Sequence, residues 1–199
     1  IGLIDTAYNY GNCEERIGAL GWASRPNLRI VTKCPSVSSE KELLQRLKES
    51  LTRLRGERVY GYLLHDAGNL RGNSAERVAE GLRQVREDGL ADKIGVSVYS
   101  AEEALEIYQR FPFHLVQLPL NVLDQRALKN GSLSRLNALG VEIHVRSAFL
   151  QGALIGDPAR LPPSMSGLRA RVENFQFACQ QRGISPAMAC LSFLSSVPE

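Results

Sequence analysis

The chain has 199 residues, 44% of them hydrophobic and 23% charged, with a formal net charge of +3. That is ordinary globular usage for a single domain, and it excludes disordered, collagenous and disulfide-scaffold proteins. The positive excess is small and scattered, so it marks no nucleic-acid patch. No apolar run approaches the ~18 residues of a membrane span. The four cysteines, Cys13, Cys34, Cys179 and Cys190, form no C-x-x-C or zinc spacing and read as reduced thiols of a cytoplasmic protein.

In chain order, short apolar runs alternate with helical patterns. Strands are expected at Ile1–Ile4, Leu28–Thr32, Val59–Leu64, Ile94–Val98, Leu115–Leu120 and Val141–Val145. They lack clean alternation, as parallel strands covered on both faces do. The first run starts without a methionine, and the chain ends just past a helical pattern, so both ends of a larger domain are expected to lie outside the sequence. Helical stripes follow at Leu43, Leu44, Leu47, Leu51 and Leu54, at Val78, Leu82 and Val85, and at Leu133, Leu136 and Leu139. Ser38 or Ser39 with Glu42 resembles a capping box, and Ser100 caps the helix starting at Ala101. Gly89 and Gly140 stand where helices end in a left-handed residue. The Pro- and Gly-rich stretch from Gly152 to Gly167 reads as a long loop. A helix through Leu168, Val172 and Phe175 stops at Gly183, and Ser185-Pro186 opens another.

Alternation of β and α implies an α/β fold with a parallel sheet. An open doubly wound sheet would announce a G-x-G-x-x-G turn, and none occurs. A (β/α)8 barrel instead places polar functional residues at the C-terminal ends of several strands. The runs here end in Asp5, Lys33, His65, Ser97, Asn121 and Arg146-Ser147. About six of eight βα units are therefore expected, residues 1–199 forming one incomplete barrel domain.

Lys33 is the most informative residue. At a barrel mouth it needs a partner, and Asp5 on the neighbouring strand is the obvious one; a purely structural ion pair would account for the two residues equally well. His65 stands at a strand end, whereas His114 precedes a strand and His144 lies within one. No two histidines have metal-ligand spacing, so no metal site is expected. Tyr10 follows Asp5 in the loop; alone it is an ordinary loop aromatic, but beside Lys33 a phenol with an ordinary pKa near ~10 could become a useful acid. Arg53, Arg55 and Arg58 read as a solvated helix end.

Together these residues resemble the aldo-keto reductase family. Asp5-Thr6-Ala7-Tyr8-Asn9-Tyr10-Gly11, with Glu14 and Ile17-Gly18, is similar to the family block D-T-A-x-x-Y-G-x-x-E-x-x-I-G. Further matches, in family order, are Val31-Thr32-Lys33, Tyr62-Leu63-Leu64-His65, Lys93-Ile94-Gly95-Val96-Ser97, Val116-Gln117 with Asn121, and Gly140-Val141 through Ser147 and Gly152. The resemblance implies a (β/α)8 barrel that binds a nicotinamide cofactor, NADPH in preference to NADH, and reversibly reduces a small aldehyde or ketone to an alcohol. It implies a catalytic tetrad of Asp5, Tyr10, Lys33 and His65. Ser97 and Gln117 would hold the nicotinamide amide, and Arg146, Ser147, Phe149, Gln151 and Gly152 complete the expected cofactor contacts. Two residues depart from the family pattern: Val98 stands where Asn usually follows the serine, and Arg146 stands where an aromatic usually stacks on the nicotinamide. A cofactor-sensing subunit, or a lyase forming a Schiff base through Lys33, are the alternative functions.

Overall fold

The computed structural model describes residues 2–21, 25 and 27–198. Six parallel strands form one sheet in strictly sequential order: β1 (Leu3–Asp5), β2 (Arg29–Cys34), β3 (Val59–Leu64), β4 (Ala91–Ser97), β5 (Leu115–Pro119) and β6 (Glu142–Arg146). Each strand lies beside the next in sequence, so right-handed crossovers place the connecting helices on one face. That is the winding of a barrel and differs from a doubly wound sheet, whose order reverses at a switch point.

The helices are α1 (Cys13–Ala19), α2 (Glu40–Leu54), α3 (Ala75–Glu87), α4 (Ala101–Arg110), α5 (Arg126–Lys129), α6 (Ser132–Ala138), α7 (Ser166–Gln181) and α8 (Pro186–Ser195). The caps agree with the sequence. Ser39 and Ser100 accept from the N–H groups of Glu42 and Glu103, and Ser185 accepts from Met188. Glu42 completes a box-like arrangement one residue further out than expected, accepting from the N–H of Ser38. On α2, Leu43, Leu47, Leu51 and Leu54 are buried against the sheet, each worth ~1.5–3 kcal/mol over exposure. Gly89 and Gly140 have φ of 70° and 75°, as a left-handed helix stop requires.

Register sorts the strand residues into two layers. The pairs Asp5↔Val31, Lys33↔Leu63, Leu63↔Gly95, Ser97↔Gln117 and Gln117↔His144 run along one face. The opposite face carries Ile30, Cys34, Tyr62, Leu64, Ile94, Val96, Val116 and Leu118, which join the large core under the helices. The first face has only a small apolar layer, Val31, Leu63 and Leu115, with Leu3 and Tyr60 beside it. Gly95 sits in that layer because a Cβ there would lie 1.6 Å from the Leu115 carbonyl oxygen.

Side-chain contacts across the sheet show that it is curled towards this inner face. β1 and β5 are four strand spacings apart, about 19 Å in a flat sheet. Yet Gln117 Nε2 on β5 donates to Asp5 Oδ1 on β1 at 2.8 Å. Near the N-terminal ends of the strands, the Tyr60 hydroxyl of β3 and Lys93 Nζ of β4 both donate to Glu142 of β6. Burial pushes the Glu142 carboxyl up, but these bonds and one from His144 hold it down at about 2. Lys93 is thus a half-buried member of an inner-face cluster.

The stretch after β6 is folded onto the molecule. Two short 3-10 turns, Pro158–Arg160 and Pro163–Met165, break it. Arg169 of α7 donates to the carbonyl of Pro158. Leu154, Val172 and Cys190 form a separate buried cluster there, with Phe149, Leu150 and Phe175 packed on it. No helix among the described residues is long and apolar enough to cross a membrane.

Candidate active site

The inner-face register carries Asp5, Lys33, Ser97, Gln117 and Arg146 to the C-terminal ends of their strands, and His65 continues β3 by one residue. Curling then converts this row into a cluster. Lys33 is 1% exposed, and its Nζ donates to Asp5 Oδ2 at 2.6 Å and to the Thr6 carbonyl at 2.8 Å. Asp5 keeps about a third of its side chain in solvent, 35%, so the pair is buried at the lysine and wet at the carboxylate. Gln117 occupies the other Asp5 oxygen. That bond was not visible in the sequence, where Gln117 and Asp5 are far apart and no pattern links them.

Tyr10 hangs over this pair from the loop between β1 and α1. The Lys33 ammonium lies 4.9 Å from its ring centroid, and the His65 ring packs edge-on at 5.6 Å. Lysine and tyrosine meet through the ring face, with no lysine–hydroxyl hydrogen bond among the described residues. The Tyr10 side chain is 43% exposed, facing the open mouth. All four members of the expected tetrad therefore meet at one place.

Burial first, and then the Lys33 and Arg146 charges, lower the His65 pKa; Asp5 and Asp66 oppose them. His65 is accordingly a neutral imidazole near neutral pH. The lowered value means that the unfolded chain binds more protons than the folded one just below pH ~6.5, so stability falls as pH drops through that window. Replacing His65 with Gln is expected to flatten the pH dependence of the urea midpoint there. Some slope should persist, because burial lowers His114 in the same direction. An unchanged slope in the variant would show that His65 is not held neutral.

Ser97 is buried at the end of β4. Val98 after it is fully buried on the helix side, so only its carbonyl faces the mouth, and that carbonyl accepts from Arg146 Nη2 at 3.0 Å. The Arg146 guanidinium also lies 4.9 Å from the ring of the exposed Tyr99. Arg146 Nε is buried without an acceptor, a cost that a ligand acceptor would remove.

Beyond β6 the loop is conformationally unusual. Ser147, Leu150 and Gln151 have φ of 60°, 49° and 53°, and Gly152 follows at 90°. Three non-glycine residues in the left-handed region within one loop store strain of the kind found at ligand clamps. The N–H groups of Ala148, Phe149 and Gln151 take no acceptor among the described residues. Successive free N–H groups in such a turn make an anion-binding concavity. Asn121, just past β5, braces the loop by donating to the Ser147 carbonyl at 3.2 Å. The Phe149 ring packs into the apolar cluster beneath α7, leaving its N–H as the group a ligand could use. Among the described residues, no group of His, Cys, Asp and Glu is arranged to hold a metal.

The profile described as Aldo/keto reductase family matches residues 1–199. The chain belongs to the aldo/keto reductase family. Solved structures agree on the fold. The glycerol dehydrogenase of Gluconobacter oxydans is 23% identical, with 98% of this chain and 68% of that one covered, at a TM-score of 0.75. An aldo-keto reductase of Klebsiella pneumoniae in complex with NADPH is 20% identical, over 94% of this chain and 63% of that one, with a TM-score of 0.71. The holo form of an aldo-keto reductase from Bacillus halodurans is 21% identical, over 82% and 57%, with a TM-score of 0.69. The chain thus spans 57% to 68% of the lengths of these three structures. No curated protein matches its sequence. The curled six-stranded sheet is accordingly part of a (β/α)8 barrel, as the strand-end pattern led one to expect.

Proposed function

We propose that this aldo/keto reductase family member reduces a small aldehyde or ketone to its alcohol with a nicotinamide dinucleotide, NADPH in preference to NADH. The observation that carries the reading is the convergence of Tyr10 and His65 on the Lys33–Asp5 pair at one barrel mouth. The cofactor, when bound, supplies the hydride. The chain's residues do the rest. Tyr10 Oη donates a proton to the carbonyl oxygen as negative charge builds there, a general-acid step ordinarily worth ~10²–10⁴-fold. The Lys33 ammonium, 4.9 Å from the Tyr10 ring centroid, stabilises the negative charge that develops as the proton leaves. Asp5 and the Thr6 carbonyl hold the ammonium in place, and neutral His65 donates a hydrogen bond to the same carbonyl oxygen.

The residues fit a dinucleotide. Gln117 commits its Nε2 to Asp5, which turns Oε1 to accept from the carboxamide, and Ser97 lies beside it at the end of β4. The free N–H groups of Ala148, Phe149 and Gln151, in the loop from Ser147 to Gly152, suit the pyrophosphate. The Arg146 plane, with its unsatisfied Nε, takes the position of the usual stacking aromatic. A Schiff-base lyase would need an accessible amine, whereas Lys33 is 1% exposed with two acceptors. Free cysteines, three of them buried, suit a reducing, cytoplasmic compartment.

The experiment is turnover with a panel of aldehydes and ketones, followed by loss of NADPH or NADH absorbance. Oxidation of the cofactor that depends on the carbonyl compound is the expected result, faster with NADPH. Tight cofactor binding without turnover of any carbonyl would favour the sensing-subunit function instead.

A further inference from the structure

Tyr10 is 43% exposed, and its hydroxyl takes no hydrogen-bond partner among the described residues, so its ring is held by Lys33, His65 and the backbone of its loop. The loop on which it sits is anchored on β2 and, through the Tyr8 side chain, outside the strands on α2. At the loop's start, the Tyr8 N–H donates to the Lys33 carbonyl at 3.1 Å. The Tyr8 ring lies under the Arg53 guanidinium, 4.0 Å from its centroid. Its hydroxyl donates to Glu49 Oε2 at 2.7 Å and accepts from Arg46 Nη1 at 2.9 Å. The tyrosine hydrogen bond, helped by Gln45 and Arg46, holds the Glu49 carboxyl down at about 2. Just past the loop's end, Glu14 is 1% exposed. It accepts from Thr32 Oγ1 at 2.7 Å and from the same Arg53 at 3.1 Å. Gly18 lets α1 lie flat on the end of α2, since a Cβ there would stand 2.1 Å from the Arg53 carbonyl oxygen.

We propose that Tyr8 is a positioning residue for the reaction: clamped on α2 by Arg53, Arg46 and Glu49, it sets the loop that holds Tyr10 over Lys33. The inference rests on the carbonyl-reductase reading above. The leverage is geometric. Tyr8 and Tyr10 are two residues apart, one facing α2 and the other the mouth, so a slack Tyr8 lets Tyr10 drift from the Lys33 charge. A displacement of about 1 Å in such a group can cost ~10²-fold in rate.

The test uses Tyr8→Leu, which removes ring stacking and hydroxyl together, Tyr8→Phe, which keeps the ring under Arg53, and Arg46→Met, which leaves Tyr8 itself intact. Tyr8→Leu is expected to lower kcat about tenfold or more with the KM for NADPH within about twofold, and Tyr8→Phe and Arg46→Met to fall between it and wild type. The second readout is the Tyr10 phenol itself, followed by NMR of protein labelled at the tyrosine ζ-carbon and assigned with Tyr10→Phe. Its ζ-carbon resonance should shift in the Tyr8 variants, because the ring leaves its place over Lys33 and beside His65. A folded Tyr8→Leu protein with wild-type kcat and an unmoved Tyr10 resonance would overturn the proposal. So would parallel losses of kcat and cofactor affinity with that resonance unmoved. Should Tyr8→Leu fail to fold, Tyr8→Phe and Arg46→Met decide by the same two readouts. Should the wild type reduce no carbonyl compound, the proposed function fails, and the Tyr10 resonance alone still decides whether Tyr8 positions it.

Discussion

Tyr10→Phe is expected to lower kcat for carbonyl reduction by ~10²-fold or more while leaving NADPH affinity near wild type. The change removes one oxygen from a half-exposed ring at the mouth. The ring keeps its edge contact with His65 and its place over Lys33, so neither the fold nor the cofactor contacts should respond. Only the proposed proton donor is lost. Steady-state kinetics, with cofactor binding followed by fluorescence, separate the two quantities. Near-wild-type turnover in this variant would remove Tyr10 from the mechanism and leave His65, on the other side of the same space, as the remaining candidate acid.

Lys33→Met should be comparably severe for activity and also costly for stability. The ammonium is buried, whereas Asp5 is 35% exposed and can regain water. Breaking the pair should therefore cost less than the ~3–5 kcal/mol of a fully buried one, about 1–3 kcal/mol, including the stranded Thr6 carbonyl. Chemical denaturation measures that loss. For activity, the charge beside the reacting oxygen is lost, and kcat should fall by ~10²-fold or more. Asp5→Asn acts through the same lysine. The double variant should therefore be little worse than Lys33→Met alone, since members of one catalytic unit are not additive. Additive losses would mean that Asp5 and Lys33 contribute separately.

Much of this arrangement was legible in the sequence for one physical reason. A parallel strand covered on both faces is an apolar run, so a polar residue at its C-terminal end stands out, and a barrel gathers such ends. Asp5, Lys33 and His65 were found in this way, and all six strands were placed to within a few residues. What lay hidden needed three dimensions. The Gln117–Asp5 bond depends on curling the sheet, and no periodicity encodes it. Arg53 read as solvated because helix ends with arginines usually are; here it stacks on Tyr8 and pairs with buried Glu14. Only the register reveals that Lys93 shares a face and a cluster with Glu142. The short helix α5 and the two 3-10 turns carry no apolar stripe, and the proline-rich stretch hid its packing under α7 for the same reason.

The most direct test of the account is the fate of the cofactor's hydrogen. Reduction of an aldehyde with NADPH carrying deuterium at the transferring position of the nicotinamide should place that label on the carbinol carbon of the product, and the transfer should become very slow in Tyr10→Phe. Product without label, or a substrate adduct trapped on Lys33 by borohydride, would contradict direct carbonyl reduction at this barrel mouth.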